Sequence, residues 1–105
     1  MSRLAKLESL LIADPRDTFT LYALAQEHAK ACDWARAIEF YDRTLAVDSA
    51  YCYAYFHKAK AQAALGDAAG AQATVAAGLA AAQRTGDPKA LNELASLQME
   101  LEGAA

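Results

Sequence analysis

The stretch "DWARAIEFYDRTLAVD", residues 33–48, decides the fold. Trp34, Ala37, Ile38, Tyr41 and Leu45 recur at three- and four-residue steps and make one apolar stripe. Asp33 stands just ahead of it, where a carboxylate can accept from the unpaired N–H groups of a first helical turn. The stretch therefore predicts an amphipathic helix. It holds no chemical motif, so its apolar face is there to be covered by another helix.

The covering partner follows from a comparison of the chain with itself. Residues 21–45, "LYALAQEHAKACDWARAIEFYDRTL", set over residues 55–79, "YFHKAKAQAALGDAAGAQATVAAGL", pair Ala25 with Ala59, Asp33 with Asp67, Ala37 with Ala71 and Leu45 with Leu79, an offset of 34. In the same frame Leu21 meets Tyr55, Tyr41 meets Val75 and Cys32 meets Gly66. Leu24 meets Lys58, a mismatch at a position that belongs in a core, so the second copy is degenerate. Each copy reads as two helices with a turn between them: Ala25 and Ala59 are small where helix crosses helix, and Asp33 and Asp67 cap the second helix.

With these residues in place the run resembles the tetratricopeptide repeat (TPR) family, whose period is 34 residues. The family pattern is met by Leu21, Leu24, Ala25, Ala37, Tyr41, Leu45 and Asp48. It is missed at His28, where Tyr is usual, at Thr44, where Ala is usual, and at Ser49, where Pro is usual. The resemblance implies an all-α solenoid of antiparallel helix pairs, about two repeats with a capping helix at each end.

The phase runs outward from the repeats. In "LLIADPRD", Asp14 and Pro15 precede Asp48 and Ser49 by one period, so residues 2–13 resemble the second helix of a half repeat, with Leu4, Leu7 and Leu11 on its core face. Downstream, Gly86 stops a helix, Asp87 caps the next and Pro88 fits its first turn, and Leu91, Leu94 and Ala95 look like the first helix of a third repeat. Ala95 lies 36 residues after Ala59, which implies two residues inserted near the turn from Arg84 to Gly86. The last helix is expected to close the open end of the second repeat, with Glu100 and Glu102 toward water. Helices are thus predicted over residues 2–13, 18–31, 34–47, 51–65, 68–84 and 88–102, with no strand. The chain is expected to be one helical domain: an N-terminal helix in 1–17, repeats in 18–51 and 52–87, and a capping helix in 88–105.

Composition narrows the function. A chain of 105 residues can bury a core of its own. Its 55% hydrophobic content is largely Ala, so that core needs closely approaching helices. A net charge of -3 argues against nucleic-acid binding, which requires clustered cations. "MSRLAKLESLLIAD" carries Arg3, Lys6 and Glu8 within its apolar pattern, unlike a signal peptide, and no stretch has the length and apolarity of a membrane span. Cys32 and Cys52 show neither CxxC nor zinc-ligand spacing, and two reduced cysteines in a cytoplasmic protein are expected.

The sequence raises two candidate chemistries. His28 with Cys32 and Cys52 with His57 could be conceived as a four-ligand zinc site, but at these positions packing is the simpler role, and no metal or other cofactor is expected. Catalysis would need a nucleophile, a base and an orienting group, and the sequence offers scattered Ser, Thr and acidic residues without a motif; Glu39, Asp42 and Arg43 read as a solvated face. The protein is expected not to be an enzyme.

The resemblance implies a groove instead. In TPR proteins the first helix of each repeat lines the concave surface at its second, fifth, ninth and thirteenth positions. Here these are Phe19, Tyr22, Gln26 and Lys30, then Tyr53, Phe56, Lys60 and Ala64, with His57 beside them. Aromatics and lysines interleave, which suits an extended partner segment with apolar and acidic residues. The family's clamp for chaperone C-terminal carboxylates has Lys and Asn where this chain has Tyr22 and Gln26, so that specificity does not transfer. The expectation is a protein-interaction adaptor; the alternative is a homo-oligomer docked through its Leu-rich end helices.

Overall fold

A computed structural model describes residues 2–104. Among them the chain forms α1 (Arg3–Ala13), α2 (Thr18–Lys30), α3 (Trp34–Val47), α4 (Cys52–Ala64), α5 (Ala68–Thr85) and α6 (Pro88–Ala104), and no strand. Each helix packs on the next, and α4 also touches α6. The result is a stack of antiparallel helix pairs measuring 41 × 29 × 18 Å, an α-solenoid.

The repeat is visible in the packing. Ala25, Ala37 and Tyr41 share one buried cluster, and their partners one period on, Ala59, Ala71 and Val75, share another. Alanine at the crossings lets the helices approach closely enough for Leu21 and Leu24 to be fully enclosed. Truncating a side chain such as Leu24 to Ala would cost about 2–5 kcal/mol. The expected core face of α1 holds: Leu7 is buried, with Leu4 and Leu11 packed beside it against Ala23 and Leu24.

Turns repeat as well. After α1, Arg16 N–H donates to Asp14 Oδ1 at 3.3 Å; after α3, Ala50 N–H donates to Asp48 Oδ1 at 3.0 Å. At the other turn Asp33 Oδ1 accepts from Arg36 N–H and Asp67 Oδ1 from Gly70 N–H, and Asp87 caps α6 through Ala90 N–H at 3.1 Å.

Two irregularities of the second repeat have clear causes. Lys58, the mismatch to Leu24, keeps its stem along the helices while its ammonium reaches Asp42 on α3 at 2.6 Å, so the position is filled without stranding a charge. Asp42 is therefore tied rather than merely solvated, and Arg43 lies over the Phe40 ring at 5.0 Å. The two residues inserted near the turn from Arg84 to Gly86 extend the helix that precedes it. α5 runs to Thr85, four residues past Ala81, the position one period after Val47, while the connection to α6 is two residues shorter than that from α3 to α4. Gly78 lets this longer helix sit tight, since its Cα lies where an added Cβ would come 2.7 Å from Tyr55 Cβ.

Candidate functional site

Helices α2, α4 and α6 carry two open cavities that flank α4. The first, of about 460 Å3, is lined by Gln26, Ala29, Lys30, Trp34, Tyr41, His57, Lys60 and Ala64. The second, of about 270 Å3, is lined by Phe56, Lys60, Asn92, Glu93, Ser96, Leu97 and Glu100. Lys60 borders both, its Nζ 5.4 Å from the centre of the Phe56 ring.

His57 sits at the middle of an aromatic cluster drawn from three helices. Its ring lies 6.2 Å from Tyr41 and nearly parallel to it, 6.1 Å from Tyr22, and 5.1 Å edge-on from Phe56. Tyr22 in turn packs 4.8 Å from Tyr51. Burial, and after it the Lys60 cation, hold the His57 pKa below its ordinary value, while Glu93 pulls the other way. Burial pushes Tyr22 up to about 12, with Tyr51 and Tyr53 adding to the effect. Tyr41 is raised too, by burial first and then by Tyr22, and its hydroxyl donates to Gln26 Oε1.

Of the residues expected along the groove, Gln26, Lys30, His57 and Lys60 meet in the first cavity and Phe56 joins Lys60 in the second. Tyr22 lines neither; its half-buried ring packs between the repeats. Tyr53 packs 6.4 Å from Phe56, beside the cluster of Cys52, Ala81 and Leu94. Phe19 is 65% exposed and outside both cavities.

α6 supplies a wall that was not among the expected groove positions. Asn92, Glu93, Ser96 and Glu100 lie 36 residues after Phe56, His57, Lys60 and Ala64, the same offset that carries Ala59 to Ala95. Applying that offset to the groove positions would have found them. Glu100 is exposed, as expected, but it faces water from the rim of a cavity.

The residues considered for zinc have other surroundings. His28 stacks on Phe40, Cys32 is exposed at a turn, and Cys52 is buried with its thiol 3.4 Å from the Ala50 carbonyl. Among the described residues no three His, Cys, Asp or Glu side chains gather as metal ligands would, and no helix is long and apolar enough to cross a membrane.

No family model and no curated protein matches the chain. Solved structures do. A tetratricopeptide repeat domain protein from Salinibacter ruber is 36% identical, the match covering 88% of this chain and 93% of that one at a TM-score of 0.81. A protein from Bordetella parapertussis is 26% identical over 99% of this chain and 90% of its own, with a TM-score of 0.87. The TPR2B domain of yeast Sti1, solved in complex with pHsp70, is 20% identical over 97% of this chain and 82% of its own, and shares the fold at a TM-score of 0.91. With its two phased helix pairs and this identity to the Salinibacter domain, the chain belongs to the tetratricopeptide repeat family.

Proposed function

We propose that this chain is a non-catalytic protein-interaction module that seats an extended partner segment across α2, α4 and α6. The supporting observation is the pair of cavities joined at Lys60, with aromatic walls from the partly exposed Trp34 and Phe56 and lysines at the edge. Aromatic walls bury apolar side chains at low entropic cost, and Lys30 and Lys60 attract acidic ones in a chain whose net charge is negative. The Sti1 TPR2B domain, alike in fold, was solved with a protein-derived ligand, which accords with this use of the scaffold. On this reading residues 1–17 and 88–105 flank repeats at 18–51 and 52–87.

Capture from native cell extract, followed by mass spectrometry, tests the proposal. Wild-type protein is compared with a folded Phe56→Ala, Lys60→Glu double variant and with Glu39→Ala, a change on an exposed part of α3. Partners retained by Glu39→Ala and lost by the double variant support the groove. Equal capture by all three overturns it.

A second reading has its own observation. Leu10 and Ile12 on α1 and Met99 on α6 are exposed, which favours a homo-oligomer docked through the end helices. A monomer mass that stays constant with concentration in sedimentation would exclude that use of the ends.

A further inference from the structure

We infer that the groove reads charge of both signs: it takes an acidic side chain of the bound segment between α2 and α4, and a basic side chain about three residues away between α4 and α6. The inference rests on the groove reading above and specifies its ligand.

The first cavity has only cations among its charged lining residues, Lys30 and Lys60. Lys30 also lies 3.4 Å from Glu27, but Arg3 approaches that carboxylate more closely, at 2.6 Å, so the trio keeps a net positive charge. The neutral groups add donors. Tyr41 donates to Gln26 Oε1, which leaves donation as the remaining capacity of that amide's nitrogen, and the Trp34 indole can only donate. A site of this kind favours a carboxylate, held by charge-assisted hydrogen bonds.

The second cavity has the opposite character. Glu93 and Glu100 flank Leu97 on α6 and line the cavity with Phe56 of α4, and Lys60 stands at the boundary, so the lining carries one negative charge net. None of the four ion pairs among the described residues uses Lys60, Glu93 or Glu100. A Lys or Arg side chain suits this cavity, laying its stem on Phe56 and Leu97 and its head at the carboxylates.

Spacing follows from the scaffold. The cavities lie on either side of α4, a helix is about 10–12 Å across with its side chains, and a segment in the extended polyproline II form advances about 3.1 Å per residue with three residues per turn, so that residues i and i+3 share a face. Three residues therefore carry a side chain from one cavity to the other.

The test pans a random-peptide display library on the full chain. Enriched sequences, resynthesised with capped ends, are then titrated by calorimetry. Peptides with an acidic and a basic residue two to four positions apart are expected. Replacing either charged residue by Gln should weaken binding roughly tenfold. Lys30→Glu should weaken peptides through their acidic residue and Glu100→Lys through their basic one, so that each loss disappears when the matching peptide residue is already Gln. Peptides that need Phe56 but show no paired charges would overturn the inference and leave the groove reading standing. Peptides indifferent to Phe56→Ala, Lys30→Glu and Glu100→Lys, or no enrichment at all, would overturn both.

Discussion

His28 stacks on Phe40 with ring centres 5.5 Å apart and planes 15° from parallel, and one period later Gln62 and Thr74 close the same gap with a 2.6 Å hydrogen bond. The two repeats join equivalent helices by different physics. Stacked rings contribute about 0.5–1.5 kcal/mol beyond their buried area, and a side-chain hydrogen bond about as much. A double-mutant cycle on His28→Ala and Phe40→Ala, read by urea melts, should therefore show coupling of about 1 kcal/mol. Coupling near zero would mean that each ring packs independently.

Cys32 occupies the left-handed region at φ 59°, where its equivalent Gly66 stands at φ 84°. Both turns make the same bonds: Asp33 N–H donates to the His28 carbonyl and Asp67 N–H to the Gln62 carbonyl, each at 2.9 Å. Cys32→Gly removes the Cβ penalty of that conformation but raises the entropy of the unfolded chain. It should leave stability unchanged or raise it by about 1 kcal/mol or less. Nothing lies within 4 Å of a Cβ built on Gly66, so Gly66→Ala should show the bare conformational cost, about 1 kcal/mol.

Gly78 is a different glycine. A Cβ there would come 2.7 Å from Tyr55 Cβ and 3.0 Å from Leu94 Cδ2, and the first of these cannot rotate away. Alanine is the better helix former by about 1 kcal/mol, yet overpacking costs about 1–3 kcal/mol. Gly78→Ala should be destabilising in thermal melts. A rise in the midpoint would show that α5 can shift away from α4 at little cost.

The helices and the repeat are legible in the sequence, and the contacts made between repeats are not. The apolar steps from Trp34 to Leu45 and the Asp33 and Asp67 caps act within one helix pair, so local pattern locates the helices to within about two residues. Lys58 looked like a defect because its partner, Asp42, belongs to the preceding repeat, and no alignment of one copy with another displays that pairing. The α6 wall was hidden by the longer α5, which breaks the period. Tyr22 shows a further limit: its position marked it for the groove, but the contact with Tyr51 that half-buries it comes from the turn leading into the next repeat.

The aromatic cluster should make stability depend on pH at both ends. The folded pKa of His57 lies below its ordinary 6.5, so its contribution is present above that value and lost as pH falls through the folded pKa. Urea melts should lose stability on going from pH 7.5 to 5.5, and His57→Gln should flatten that slope. Tyr22 is raised from 10.0 to about 12, so its contribution is present below 10 and lost as pH climbs toward 12. Tyr22→Phe should remove part of the alkaline loss.

Lys60 separates recognition from folding better than any aromatic in the groove. It is exposed, its Nζ lies 5.4 Å from the Phe56 ring, and no ion pair among the described residues depends on it, so Lys60→Glu should leave the melting midpoint almost unchanged. Phe56 and Tyr22 are partly buried, and truncating either can lower affinity simply by loosening the stack. For a partner segment that brings a carboxylate to the first cavity, the reversed charge acts during the approach as well as in the complex. Association should slow at low salt, the salt dependence of the association rate should shrink, and Kd should rise by a factor that narrows as salt screens the charge. Stopped-flow binding at two ionic strengths reads all three. An association rate and salt slope equal to wild type would mean that no acidic group passes Lys60, and that the carboxylate is drawn in by Lys30 alone or not at all.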